Sequence, residues 1–199
     1  MDPIILPATM PLKEVTFSLS TNTRIFTSPF TQSSQRLSMP GAHWKASYVF
    51  SPLTRQEAAP WQAFMTRLRG AASTFFANDP AAKIPQGTGS GIPLVNGDGQ
   101  MGTQLITDGW LPSQTVLKAG DYFQIGSELK MIVVDALSDI SGNATLQFEP
   151  ALRLLPADNA PLIVSNPQCV MRLVDDDQAA WHVDESRFFT IQFSAVEAF

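Results

Sequence analysis

Fifteen prolines and twelve glycines punctuate a chain of 199 residues, and this spacing constrains the fold more than any motif. Proline removes a backbone donor and fixes φ, and glycine is costly to order. A chain interrupted this often is cut into pieces too short for long helices and suited to short strands joined by turns.

The residues from Thr54 to Gly70 break that rule. Thr54-Arg55-Gln56-Glu57 reads as a capping box, with Thr54 accepting a backbone N–H and Glu57 reaching back. Trp61, Phe64, Met65 and Leu68 then follow at helical spacing, and Gly70 supplies the stop. Arg67 and Arg69 fall on the last turn, where positive charge suits the helix dipole. Pro60 interrupts the pattern, which predicts either a kink or a helix whose regular part starts at Pro60, where a missing N–H costs little.

On either side the period changes to two. Val15, Phe17 and Leu19 alternate with polar residues, and Trp44, Ala46, Tyr48 and Phe50 do so again with Lys45 and Ser47 between them, the mark of strands with one buried face. Ser73 to Phe76 is a short aromatic strand that ends near Asp79-Pro80. Residues 87–102, GTGSGIPLVNGDGQMG, read as a packed glycine-rich loop. Tyr122 to Ile125, Met131 to Val134 and Thr145 to Phe148 are three strands, with turns at Gly126-Ser127-Glu128 and Asp139 to Asn143. Leu152 to Pro167 leads the chain back to the first sheet, where Met171 to Val174 and Phe189 to Phe193 are the last two strands.

The expected fold is therefore mainly β. Residues 1–85 and 162–199 form a discontinuous hub of sandwich or barrel type, with its one helix near 54–69. Residues 86–161 are inserted into it as a small barrel-like domain. Strong strands at both ends that pair in one sheet also tie the termini down.

Composition narrows the function classes. A chain that is 44% hydrophobic and 16% charged is expected to fold. A net charge of −5 with scattered Lys and Arg argues against a nucleic-acid partner, because phosphate binding needs clustered cations. Cys169 is the only cysteine, so neither an internal disulfide nor a Cys-based zinc site can form. The N-terminal Met-Asp-Pro-Ile-Ile-Leu-Pro has no basic or long apolar stretch, and no run of about 18 apolar residues occurs anywhere, so neither a secretory signal nor a membrane segment is expected.

The motifs each have a plainer reading. Gly97-Asp98-Gly99-Gln100-Met101-Gly102 has the glycine spacing of a dinucleotide fingerprint, but Thr103 to Trp110 reads as strand and turn where a helix is required. In Gly87-Thr88-Gly89-Ser90-Gly91, Ser90 has Thr88 where a nucleophile elbow needs a glycine two positions from its serine. His43 and His182 permit a Ser/His/Asp triad by count, yet no spacing asks for one. Asp175, Asp176 and Asp177, close to His182, Asp184 and Glu185, raise the thought of a cation. With no glycine beyond Gly142, a calcium loop is not expected there, and a solvated turn is. No catalytic, cofactor-binding or metal-ligating residue is assigned.

The succession of features resembles the distal tail and minor tail proteins of long-tailed bacteriophages. The likeness is carried by Trp44-Lys45-Ala46-Ser47-Tyr48, Leu53-Thr54-Arg55-Gln56-Glu57-Ala58, Ala63-Phe64, Leu68-Arg69-Gly70 and Phe75. It continues through Gln86-Gly87-Thr88, Leu105 to Trp110, Lys118 to Gly126, Gly142 to Leu146 and Pro150-Ala151-Leu152-Arg153, and so spans most of the chain. The resemblance implies a structural virion protein without catalytic residues or cofactors, assembled in the host cytoplasm. It implies a hub of β-sheet plus one helix, six copies of which close into a ring joining the tail tube to the tip proteins, with the inserted domain on the outside.

Two other classes remain open at this stage. A receptor- or glycan-binding module needs the aromatic faces of Trp110 and Tyr122 open to water, whereas a scaffold buries them. A small hydrolase would use Ser90 and a histidine. For the scaffold, Phe26, Phe30, Ile92 and Leu94 are candidate interface anchors, with packing inside the monomer as the equal alternative.

Overall fold

A computed structural model describes residues 3–8 and 11–199; Met1, Asp2, Thr9 and Met10 lie outside the described residues. The chain opens with two long strands, β1 (Leu12–Thr27) and β2 (Ser34–Phe50), then the helix α1 (Arg55–Leu68) and β3 (Thr74–Ala77). The middle of the chain supplies β4 (Gly91–Val95), β5 (Gly102–Trp110), β6 (Thr115–Leu117), β7 (Tyr122–Ile125), β8 (Glu128–Val134), β9 (Ala136–Leu137), β10 (Ala144–Leu152) and β11 (Leu162–Ile163). The end adds β12 (Cys169–Leu173), β13 (Trp181–Val183) and β14 (Phe189–Glu197). The protein is mainly β with one α-helix.

One sheet runs β1-β2-β14-β12-β3, with β13 also paired to β14, so strands from the two ends of the chain lie side by side. Alternation places Trp44, Ala46, Tyr48 and Phe50 of β2 inward beside Phe193 and Ala195 of β14. Helix α1 covers that face. Trp61 packs on Phe50 with ring centroids 4.5 Å apart, and Phe64 meets Phe75 edge-on at 5.5 Å. Such aromatic pairs add to the burial of their area about 0.5–1.5 kcal/mol each.

The capping box forms as read: the Thr54 N–H donates to the Glu57 carboxylate at 2.9 Å. Of the two expectations about Pro60, the late start is corrected: the helix begins at Arg55 and runs through Pro60, which lies on the exposed side, so water can meet the Gln56 carbonyl that a proline leaves unpaired. Arg69 and Gly70, both at positive φ, end it.

The second sheet runs β11-β7-β8-β10-β5-β4 and curls toward closure. Leu94 of β4 bridges to Pro161 beside β11, and the Val95 N–H donates to the Ala160 carbonyl at 3.0 Å, so a nearly closed barrel results. Its interior is a separate cluster that includes Val95, Leu105, Trp110, Phe123, Ile132, Leu146 and Phe148. Two glycines make the corners possible: Gly109 and Gly142 have positive φ, and a Cβ on either would collide with the carbonyl of Ile92 or Trp110 respectively.

Two sequence boundaries move. The glycine-rich stretch 87–102 is not loop throughout, because Gly91–Val95 pairs with β5 as an outer strand. Leu162 and Ile163 pair with Ile125 and Gln124, so the chain leaves the second sheet after Ile163 and not at residue 162.

Candidate assembly surface

The feature that sequence periodicity did not disclose is a two-stranded arm. Beyond Lys45, the last β2 residue paired with β14, β1 and β2 pair only with each other, down to Thr27 opposite Ser34. Residues 21–27, seven at about 3.3 Å each, carry the tip roughly 20 Å past the sheet. The turn Ser28–Ser33 is closed by the Ser28 N–H donating to the Ser33 carbonyl at 2.9 Å and the Gln32 N–H to the Ser28 carbonyl at 3.0 Å. At the root, the Asn22 side-chain amide donates to the Pro40 carbonyl at 3.1 Å.

Residues opposite one another in an antiparallel pair share a face. One face of the arm therefore carries Asn22 with Met39, Arg24 with Leu37, and Phe26 with Gln35; the other carries Ile25 with Arg36 among threonines and serines. Phe26 is 56% exposed and Phe30, at the tip, 94%. A lone two-stranded hairpin is marginal in water, and an open apolar strand edge invites pairing with another chain. The arm has the properties of a surface built to be covered.

The arm's root is held by a polar clamp between the two sheets. Arg153, just beyond β10, donates twice to the Glu197 carboxylate of β14, at 2.8 and 3.0 Å, and once to the Ala42 carbonyl at 2.6 Å. The Trp44 ring N–H donates to the Leu129 carbonyl at 2.8 Å, and its ring meets Tyr122 edge-on. Below this, Lys130 is fully buried, 2.6 Å from the Glu128 carboxylate and 2.8 Å from the Ala151 carbonyl. Burial works to raise the Glu128 carboxyl, but the Lys130 ammonium and the N–H groups of Leu154 and Arg153 outweigh it and hold the carboxyl below its ordinary range. Burial dominates for Lys130 and lowers its ammonium against the pull of Glu128. A cleft of about 770 Å³ lies between the arm root and this clamp, with Leu19, Met39, Pro40, Pro150, Leu152 and Arg153 among its walls.

The residues considered for other chemistries stay apart. Ser90 donates to the Thr88 carbonyl, and a ring nitrogen of His43 lies 2.9 Å from the Gly41 carbonyl. His182 sits on the exposed strand β13. Trp110 and Tyr122 are buried, their polar ends directed at Thr107 and Asp79, so they present no open aromatic platform. The glycine run 97–102 is followed by strand β5, not by a helix. Asp175 caps a single short turn by accepting the Asp177 N–H, and the Asp176 carboxylate accepts the Ala71 N–H. Among the described residues, no group of three or more His, Cys, Asp or Glu is placed to hold a metal ion. No helix among them is long and apolar enough to cross a membrane. Of the four proposed anchors, Phe26, Phe30 and Ile92 are exposed and Leu94 is half-buried.

Comparison with known proteins adds no relative: no protein-family model matches the chain, and no curated protein matches it.

Proposed function

We propose that this chain is a structural virion protein of a long-tailed bacteriophage, copies of which close into a ring joining the tail tube to the tip. The observation that carries the assembly role is the arm: an apolar two-stranded extension with free edges, rooted in a rigid clamp. A protomer in a ring makes contacts on two sides, and such contacts cover edges and apolar residues that a monomer would leave open. In this reading the chain does no chemistry, and its partners are further copies of itself, the tube protein and the tip proteins. The reading of the tail as its location rests on the sequence resemblance, and the arm supports the part of it that concerns self-assembly.

The test is the position of the chain in the particle. Electron microscopy of particles carrying a tagged copy, with the protein content of those particles measured by mass spectrometry, should place a closed ring of copies, six by expectation, at the distal end of the tail. Absence of the chain from purified particles would end the proposal.

A further inference from the structure

The arm has a counterpart at the other end of the same sheet. Strand β13 pairs with Phe189–Ile191, the start of β14, and the arm leaves the sheet beyond Lys45, which faces Val196 near the end of β14. The two features therefore lie at opposite poles along the strand direction. β13 has β14 on one side and no strand on the other among the described residues. All three of its residues are exposed, and Trp181 and Val183 stand with Phe188, at the far side of the turn that follows β13, as open apolar side chains.

Charge separates the two poles. The arm, residues 20–42, contains Arg24 and Arg36 and no acidic residue. Neither arginine has an ion-pair partner among the described residues. Residues 174–188 carry Asp175, Asp176, Asp177, Asp184 and Glu185 against the one cation Arg187. The arm is thus basic and apolar with unpaired strand edges, and the opposite pole is acidic and apolar with an unpaired strand edge. Each lacks what the other has.

We infer that the arm of one copy docks on the β13 pole of a second copy of this chain, with Phe26, Leu37 and Met39 against the Trp181, Val183 and Phe188 surface and Arg24, which shares their face, toward the carboxylates. The inference rests on the ring reading and deepens it by naming the acceptor. Two different surfaces at opposite poles give a head-to-tail contact, which closes into a ring when the rotation per copy allows it and propagates as a filament when it does not. An arm-to-arm contact would instead be two-fold, would bring like charges together, and would stop at a dimer.

Cysteine pairing tests this in the full chain, because Cys169 is buried and does not compete. Phe26→Cys and Val183→Cys variants, mixed and oxidised at concentrations where mass photometry shows multimers, should form a disulfide-linked pair containing one copy of each. Neither variant should cross-link alone, and a chain with both changes should give a ladder. Charge supplies an independent arm. Arg24→Glu should lower the mixed yield about tenfold, Arg36→Glu, on the opposite face of the arm, should change it little, and Asp177→Lys with Glu185→Lys in the partner should restore the Arg24→Glu yield. Phe26→Cys dimers forming alone, or no mixed product under any condition, would overturn the inference. If multimers persist while the mixed product is missing, the docking mode falls and the ring reading stands; if purified particles also lack the chain, both fall.

Discussion

Replacing Lys130 by methionine isolates the clamp on which the arm is rooted. The ammonium is fully buried, 2.6 Å from Glu128 and 2.8 Å from the Ala151 carbonyl, and methionine keeps most of its volume while deleting both contacts. Breaking a buried ion pair from one side costs about 3–5 kcal/mol, because the remaining charge stays desolvated without its partner. Here Glu128 keeps the N–H groups of Arg153 and Leu154, at 3.1 and 3.0 Å, which places the expected loss at the lower end. A loss of about 3 kcal/mol in a chain of this size lowers Tm by roughly 6–12 °C. Scanning calorimetry with urea titration followed by tryptophan fluorescence measures it. Adding Glu128→Gln removes the stranded charge, so the double variant should be more stable than Lys130→Met alone. A Tm within about 2 °C of the parent, or a double variant that loses the sum of the two single changes, would refute the reasoning.

Acid should act on the same group. The folded Glu128 carboxyl titrates below its ordinary 4.5, so its stabilising contribution is complete above that pH and is lost as pH falls below it, visible as a drop in Tm that Glu128→Gln flattens. Gly142→Ala places a Cβ against the Trp110 carbonyl at positive φ, and the backbone conformation alone should cost roughly 1–3 kcal/mol, read from urea midpoints. Thr54→Ala removes the capping-box hydroxyl and should cost about 0.5–2 kcal/mol by the same assay. Phe26→Ser should leave Tm unchanged or raised in the monomer and should weaken association measured by mass photometry; lower monomer stability with unchanged association would contradict the account.

What the sequence disclosed was local. The capping box, the 61-64-65-68 stripe and the alternation of Trp44 to Phe50 each express a burial period, and the structure realises all three. The arm was missed as an element because nearly all of residues 20–42 are exposed, so burial within the chain imposes no period of two on them. The strand there is held by pairing of β1 with β2, which a single sequence does not display; only the misplaced-looking Phe26 and Phe30 hinted at it. The clamp was invisible for the opposite reason. Lysine and arginine in a strand read as solvated, and only the fold shows Lys130 buried behind Glu128 and Arg153 reaching 44 residues along the chain to Glu197. In β4 the glycines masked a strand whose partner, β5, provides the order that its own composition lacks.

The central claim is that the arm exists for assembly and not for the stability of its own chain. Replacing residues 22–40 by a two-residue Asn-Gly turn separates the two roles. The account predicts a chain whose Tm stays close to that of the parent protein and whose copies no longer enter tail particles. Particles that incorporate the shortened chain at normal levels would contradict it.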